Sequence, residues 1–218
     1  MEPALHFAPP TAQQLAQLHF SLHRPDAELT QFVAERFSAV HGARVGALMP
    51  WQAVLRRADG PLLASVGLRL AGHEPLFLEQ YLDYPIEQQL AAQLQQPVDR
   101  AAILELGNLA SRGGMARLLI LIMVTYLNQQ QFRYVTFTAT QQVQGLFNQL
   151  GLLPITLAPA QAQRVEEPAS WGRYYESNPR VLAGSIAQGW QRLQTSTFAP
   201  LLAGLPACGL DLAREASL

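Results

Sequence analysis

Lysine is absent from the sequence, and all 15 basic residues are arginine. Chemistry that depends on a lysine amine is therefore excluded, including Schiff-base catalysis, attachment of pyridoxal phosphate and the lysine of a phosphate-binding loop. Genome composition is the simplest cause of this bias, but the consequence for the mechanism is the same.

Cysteine and paired metal ligands are also scarce. The single cysteine, Cys208, excludes an internal disulfide and a thiolate metal cluster. The five histidines show no i, i+4 pair with a carboxylate between its members, so we expect no metal. A formal net charge of −1 provides no long-range field to attract nucleic acid, and we expect no nucleic-acid partner.

The sequence lacks an apolar run long enough to span a bilayer. The run Leu118–Val124 has seven apolar residues, whereas a spanning helix needs roughly 20. A helix that is apolar on all sides is usually buried against a sheet, so we expect core packing and at most peripheral membrane contact. The N-terminus has Glu2 and early prolines where a secretory signal has basic residues and an apolar stretch, and we expect a cytoplasmic protein.

What is present is a hydrophobic chain: hydrophobic residues make up 49% of the 218 positions, and charged residues 14%. This composition is typical of one domain with a substantial core. Its pattern indicates an irregular or partly helical lead-in at 1–24, a domain at 25–190 and a tail at 191–218. Within the domain it predicts helices at Asp26–Val40, Pro85–Gln95, Met115–Gln130 and Gln141–Leu150, and strands at Trp51–Arg57, Leu62–Leu70, Ala101–Leu109, Phe132–Ala139 and Leu152–Leu157. This order of elements indicates a mixed α/β (α+β) fold.

A glycine pair separates a predicted strand from the most apolar helix. Gly113 and Gly114 follow Arg112 and directly precede that helix, which begins at Met115. Glycines let backbone N–H groups point outward, and a helix N-terminus adds partial positive charge, so the turn suits a pyrophosphate with Arg112 or Arg117 as a further partner. The alternative is an ordinary strand-to-helix turn that needs small residues.

Glu105 lies inside the predicted strand between two leucines, on the same face as Ile103 and Gly107. Burial there would raise the pKa of its carboxyl group. Such a carboxylate suits a general base acting on an amine or hydroxyl. A buried structural partner for Arg100 or Arg69 is an equally good interpretation.

Two further groups have alternative interpretations. Glu79, Asp83 and Glu87 would share a face if helical, where they bind a cationic acceptor or form a solvated surface. The aromatic segments 171–172 and 174–175 form either a pocket wall or part of the core, and core filling is the more common role of such residues.

Two segments resemble the GNAT acyltransferase superfamily. Ser111–Ala116 and the apolar helix after it resemble the loop that binds the acyl-CoA pyrophosphate, although the spacing of the motif is met only loosely. Phe132–Ala139 and Val143–Gly151 resemble the next strand and the helix that ends in Leu-Gly. The resemblance implies a central mixed sheet flanked by helices. It also implies donor-binding residues at the turn: Arg112, Gly113, Gly114, Met115, Ala116 and Arg117.

A closer resemblance covers roughly residues 25–190. The segments Leu76–Glu87, Glu105–Ala110, Phe137–Thr140 and Trp171–Tyr175 resemble, in this order, the thermostable hemolysin family of bacteria. The acidic segment followed by Arg100 and Glu105 is also similar to acyl-homoserine lactone synthases, which are GNAT-like and take donors from acyl-carrier proteins.

These resemblances imply an acyltransferase that moves a long acyl group from an acyl-CoA or acyl-carrier-protein thioester to an amine or hydroxyl. The partner would be an acyl-carrier protein or an acyl-activating enzyme. Glu105 would be the base or orient the acceptor, Asn108 would bind the acceptor or the donor amide, and backbone N–H groups near 106–108 would stabilise the oxyanion. Acceptor-binding residues would be Glu79, Tyr81, Asp83 and Thr138. The alternatives are a membrane-active hemolysin and an inactive GNAT-derived binding module.

Overall fold

A computed structural model describes residues 10–58, 60–130 and 132–212. Its centre is a sheet whose described strands are β1 (Leu18–His23), β2 (Trp51–Arg57), β3 (Leu62–Leu70), β4 (Ile103–Ser111), β5 (Tyr134–Ala139), β6 (Ile155–Pro159) and β7 (Arg180–Ser185). Their spatial order is β1-β2-β3-β4-β5-β7-β6, with β4 and β5 parallel and the other pairs antiparallel. The predicted mixed α/β class is confirmed.

Helices flank both faces of this sheet. They are α1 (Ala12–Leu15), α2 (Ala27–His41), α3 (Ile86–Leu94), α4 (Met115–Asn128), α5 (Gln141–Gln149), α6 (Ile186–Gln194) and α7 (Ala199–Leu202). Helix α2 packs against Val54, whereas α4 packs against the neighbouring residues Ala53 and Leu55. Successive residues of a strand point to opposite faces, so α2 and α4 cover different faces, called here the α2 face and the α4 face.

Helix α2 shows how local sequence sets an element boundary. The Asp26 carboxylate accepts a hydrogen bond from the Leu29 N–H at 2.8 Å and caps the first turn. Gly42 ends the helix with a φ of 66°, a left-handed conformation that glycine adopts without strain. The sequence alone predicts both boundaries, with Asp26 as the cap and Gly42 as the stop.

The apolar helix α4 lies in the core, as expected from its composition. Its residues 118–123 are all buried, and they divide between the central cluster on β2–β4 and a second cluster with α6. Each fully buried Leu or Ile side chain of this kind contributes about 1.5–3 kcal/mol through removal from water. Within the described residues, no helix has the length and hydropathy that a membrane span requires.

The structure differs from the sequence interpretation in three places. The lead-in includes the sheet strand β1, which pairs with β2 along its whole length. Strand β7 was not predicted, although it lies between β5 and β6. Helix α6 crosses the predicted domain end at residue 190, and Leu212 in the predicted tail is fully buried in the core. The physical reason is that these segments pair with strands, or pack against core residues, that are distant in the sequence. Their own residues therefore carry little signal.

The centre of the sheet contains the irregularity that shapes the candidate site. Strands β3 and β4 pair Gly67 with Gly107 and Ser65 with Ala110, so that Val66 lies opposite two residues of β4. This is a β-bulge at Asn108 and its neighbour, and Asn108 has a φ of 50°. The bulge removes two β4 residues from regular pairing close to the point where β4 and β5 separate.

Candidate functional site

The parallel strands β4 and β5 are paired over only part of their length. Their register runs from Ile103–Tyr134 to Leu106–Phe137, and both strands continue beyond the last pair. Helices α4 and α5 follow the two strands directly. The strands therefore leave an opening in the middle of the sheet, beside the bulge.

A largely apolar cavity of about 110 Å³ lies along this opening, among β4, β5, α4, α5 and α6. Leu106 and Phe137, the last paired residues of the two strands, are among its lining residues. The polar lining residues are Thr138, Ser185, Gln188 and Arg192. Such a cavity has room for several methylene-sized groups and suits an aliphatic chain.

The glycine turn lies between β4 and α4. Gly113 and Gly114 have φ values of 55° and 77°, and a Cβ atom at either position would meet nothing within 4 Å. No side chain in the described part of the chain caps α4 at Gly114. The open side of this turn and the start of a 14-residue helix suit an anion.

The two arginines of the turn have partners on neighbouring elements. The Arg112 guanidinium lies 3.8 Å from the Glu35 carboxylate and 5.3 Å from the centre of the Phe32 ring, and its side chain is half exposed. Arg117 donates a hydrogen bond to the Gln149 side chain. Met115 and Ala116 form the first turn of α4 with Arg117. The structure therefore brings the six predicted donor-binding residues together at one turn.

Glu105 is buried on the α2 face, with 1% of its surface exposed. Its carboxylate accepts hydrogen bonds from the backbone N–H groups of Phe77 at 2.7 Å and Leu78 at 3.0 Å. Burial raises its pKa to about 7, while these two bonds and the nearby Arg69 act in the opposite direction. The predicted rise in pKa is confirmed, and the value suits proton transfer near neutral pH.

The arginines considered as ion-pair partners for Glu105 are engaged elsewhere. Arg100 binds both oxygens of Glu79, at 2.6 and 2.8 Å, and the Glu87 carboxylate at 2.7 Å. Arg69 lies opposite Glu105 on β3, and its guanidinium donates to the Pro75 carbonyl at 3.2 Å. The backbone of the turn at 77–78 is thus the direct partner of Glu105.

The acidic residues do not share one helical face. The segment Phe77–Tyr81 is a 3-10 turn, and α3 begins only at Ile86, so Asp83 lies between two elements. Glu79 points inward and also accepts the N–H groups of Leu76 and Ile86. Arg100 and these donors outweigh burial and lower the pKa of Glu79 to about 2. Asp83 is exposed and pairs with Arg164.

The other two predicted acceptor residues lie on the α2 face and near the opening. The Tyr81 hydroxyl is 2.7 Å from the Tyr175 hydroxyl, and burial raises its pKa. Thr138 lines the cavity, and its buried hydroxyl has no hydrogen-bond partner in the described chain. The four predicted acceptor residues are therefore divided among the Arg100 ion-pair network, the exposed pair with Arg164, an aromatic group and the cavity.

The aromatic segments form a cluster beside the turn that holds Glu105. The Trp171 ring lies 5.6 Å from Phe77, 5.2 Å from Tyr174 and 6.2 Å from Tyr175, measured between ring centres. Gly172 between them has a φ of 53°, and a Cβ atom there would lie 2.3 Å from the His41 carbonyl oxygen. Core packing accounts for these contacts.

Sequence reasoning missed Met49, which lies over the bulge. Its N–H donates to the Asn108 side-chain oxygen at 3.0 Å, and its carbonyl accepts from the Gln52 amide at 3.1 Å. Asn108 therefore lies at the bulge, with its side-chain oxygen bound to the Met49 N–H. Residues 49 and 108 are far apart in the chain, so no local pattern indicated this contact.

The family described as Thermostable hemolysin matches residues 21–190, while no curated protein matches the chain. Among solved structures, the CoA-dependent acyl-homoserine lactone synthase BjaI, with SAM and isopentyl-CoA, is 15% identical with a TM-score of 0.57, over 92% of this chain and 99% of BjaI. The acyl-homoserine lactone synthase LasI is 12% identical with a TM-score of 0.55, over 88% and 98%. FeeM, an N-acyl amino acid synthase from uncultured soil microbes, is 11% identical with a TM-score of 0.53, over 85% and 98%. The predicted GNAT-like fold is confirmed.

Proposed function

Because the chain belongs to the thermostable hemolysin family and has a GNAT-like fold, we propose that it is an acyltransferase that moves a long acyl group from a thioester to an amine or hydroxyl. The BjaI structure holds isopentyl-CoA, a CoA derivative that carries a branched alkyl chain on its sulfur, together with SAM, which bears an amine. That pair of ligands supports the two substrate classes proposed for this chain. The donor is acyl-CoA or an acyl-carrier protein, which an acyl-activating enzyme would load.

The separation of β4 from β5 above an apolar cavity is the observation that carries this proposal. An acyl chain lies in the cavity, and its thioester carbonyl lies at the opening beside the bulge. Backbone N–H groups of β4 near Leu106–Asn108 stabilise the oxyanion there. The bulge favours this role because it takes Asn108 out of the regular ladder with β3.

The remaining residues act around this carbonyl. The turn 112–117 binds the phosphates of the donor, with its glycines open to the ligand. Glu105 accepts the proton that the acceptor loses, and the hydrogen bonds from Phe77 and Leu78 orient it. Tyr81 and Thr138 contact the acceptor.

Titration calorimetry with octanoyl-CoA, followed by mass spectrometry of reactions that contain primary amines or alcohols, tests this function. We expect saturable donor binding and an acylated product that needs both substrates. Donor binding without any product would identify a binding module instead. Leakage of phosphatidylcholine vesicles by the protein alone would favour the membrane-active alternative.

Gly114→Glu is expected to weaken octanoyl-CoA binding at least about tenfold, or about 1.4 kcal/mol. The new carboxylate repels the phosphates and lies at the positive end of α4. The positive φ strains any side chain at this position. Gly114→Gln is therefore the control, since it has the same strain and nearly the same size without the charge. Equal dissociation constants for the two variants by calorimetry would remove the turn from the donor site.

Gly184→Leu is expected to shorten the acyl chain that binds best. Gly184 lines the cavity, and a Cβ atom there would touch Val135 and Pro154 at ordinary contact distances of 3.8 and 4.0 Å. Each methylene of the acyl chain that the new side chain excludes from the cavity costs about 0.8 kcal/mol, or roughly fourfold in affinity.

The measurement for Gly184→Leu is calorimetry with a series of acyl-CoA donors whose chains run from butanoyl to tetradecanoyl. Gly145→Leu on α5 is the control, because a Cβ atom there meets open space and Gly145 does not line the cavity. The same chain-length profile in both variants would place the acyl chain outside this cavity.

A further inference from the structure

The Met49 side chain fills the space above two glycines at the centre of the sheet. A Cβ atom at Gly67 would lie 2.8 Å from the Met49 Cβ, and one at Gly107 would lie 2.3 Å from the Met49 Cε. Gly67 and Gly107 are cross-strand partners on β3 and β4. Any larger residue at either position would occupy the same space as Met49. The two glycines therefore keep this volume free of side chains from β3 and β4.

Two buried side chains with unused hydrogen-bonding capacity lie on the same face of the sheet as this volume: Gln52, the β2 partner of Gly67, and Ser65, two residues before Gly67 on β3. The Gln52 amide nitrogen lies 2.8 Å from the Cβ position of Gly67, so the amide faces the same space. Within the described chain, neither Gln52 Oε1 nor Ser65 Oγ has a hydrogen-bond partner, and both residues are fully buried. A buried oxygen without a donor costs typically about 1–3 kcal/mol, so a donor from outside the chain would stabilise it.

The same volume adjoins the proposed reacting centre. Gly107 is two residues from Glu105 and therefore shares its face of β4. Asn108, the next residue, forms the bulge and binds the Met49 N–H. A group placed over Gly107 would thus lie on the same face of β4 as Glu105 and next to the bulge.

We propose that the space filled by the Met49 side chain is the acceptor site, and that the acceptor is a primary amine whose head group replaces this side chain. This inference rests on the proposed acyltransferase function. The oxygens of Gln52 and Ser65 and the Glu105 carboxylate all accept hydrogen bonds, and an amine or ammonium group supplies several donors at once. The backbone hydrogen bonds of Met49 hold its segment while the flexible thioether moves aside.

The reaction at this site balances without a further reagent. The amine nitrogen forms a bond to the thioester carbonyl carbon, and the carbon–sulfur bond breaks with its electron pair leaving on sulfur. Glu105 accepts the proton that the nitrogen loses, and the thiolate takes up a proton to leave as a free thiol. The products are an amide and a thiol.

The first test compares primary alkylamines, from methylamine to hexylamine, as acceptors with octanoyl-CoA as donor, and measures the N-alkyl octanamides by mass spectrometry. We expect the wild-type protein to favour the smallest amines. Met49→Ala should raise the rate with hexylamine relative to methylamine at least about tenfold, because it removes the side chain that limits the site. Leu48→Ala is the matched control, since Leu48 is the adjacent residue but packs against the buried cluster that contains Phe32 and Val33 of α2.

The second test needs no turnover. The methyl resonance of Met49 in protein labelled with [methyl-13C]methionine is identified by its loss in Met49→Leu. We expect this resonance to shift with ethylammonium, but not with the same concentration of tetramethylammonium, which has no N–H donor.

The two tests separate failure of this inference from failure of the proposed function. Amide formation with the same amine profile in wild type and folded Met49→Ala would overturn the inference and leave the function in place. Ester formation with alcohols but no amide with any amine would also overturn the inference and leave the function in place. If neither an amide nor an ester forms, the proposed function fails and the methyl resonance decides the site. A Met49 methyl resonance that does not shift with ethylammonium would then overturn the proposed acceptor site as well.

Discussion

Glu105→Gln is expected to lower turnover about 100-fold or more while the affinity for octanoyl-CoA changes little. The substitution keeps the shape of the side chain but removes its ability to accept a proton, and general-base catalysis typically contributes about 10²–10⁴-fold. Wild-type activity should rise with pH through about 7, the pKa of this carboxyl. The residual activity of the variant should lack that rise. Single-turnover rates between pH 5 and 9, about two units on each side of this pKa, measure the difference.

Stability measurements on the same preparation distinguish a catalytic role from a purely structural one. The amide introduced by Glu105→Gln would keep one acceptor oxygen for the N–H groups of Phe77 and Leu78, so we expect a loss of about 1–3 kcal/mol in the free energy of unfolding. A destabilised variant with full activity per folded molecule would identify Glu105 as an anchor for the 77–78 turn. A stable and fully active variant would leave it with neither role.

The pH dependence of stability has a definite sign at Glu105. Its pKa is about 7 in the folded protein against an ordinary 4.5, so the folded state binds more protons between these values. Wild-type stability should therefore fall as pH rises through this window, by about 3 kcal/mol at most. Glu105→Gln lacks this pH-dependent contribution. The difference in free energy of unfolding between wild type and the variant, measured by urea melts, should therefore become smaller between about pH 5 and 8.

Local sequence predicted the elements whose signals lie within their own residues. Helix α2 was predicted from its apolar periodicity with Asp26 as its cap, and α5 from its amphipathic pattern with Gly151 after its end. The antiparallel pairing of β2 with β3 was predicted from the Asp-Gly pair between them, of which residue 59 lies outside the described residues. The raised pKa of Glu105 followed from its position between leucines in a buried strand.

The missed elements depend on distant partners. Strand β1 has alternating apolar residues at Leu18, Phe20 and Leu22, but the prolines near it suggested irregular structure. Strand β7 is short and becomes a strand because it pairs between β5 and β6. Likewise, no spacing rule connects Met49 to Gly107, because the contact exists only after the sheet has formed.

The arrangement of the acidic segment at the candidate site also could not be predicted from local sequence. Its carboxylates were interpreted as one helical face, whereas a 3-10 turn and a separate helix bring Glu79 and Glu87 together on Arg100. This network holds the turn whose Phe77 and Leu78 N–H groups bind Glu105. Arg100 is therefore a positioning residue for the proposed base.

Arg100→Met is expected to lower the free energy of unfolding by about 2–3 kcal/mol at neutral pH. Removing one partner leaves Glu79 charged and largely buried, which costs about 3–5 kcal/mol for a fully buried pair and less here because the side chains are 17–29% exposed. Arg164→Met is the matched control. It breaks the exposed pair with Asp83 in the same region, for an expected cost below about 1 kcal/mol.

The pH dependence of the Arg100→Met deficit identifies Glu79 as its source. The pKa of Glu79 is about 2 in the folded protein against an ordinary 4.5, so its contribution is fully present above pH 4.5 and is lost as pH falls toward 2. The wild-type and Arg100→Met stabilities, measured by urea melts, should therefore converge in acid. A deficit that stays constant from pH 7 to pH 3, about one unit above the folded pKa, would show that Arg100 acts through its packing and its bond to the Ala71 carbonyl instead of through the carboxylates.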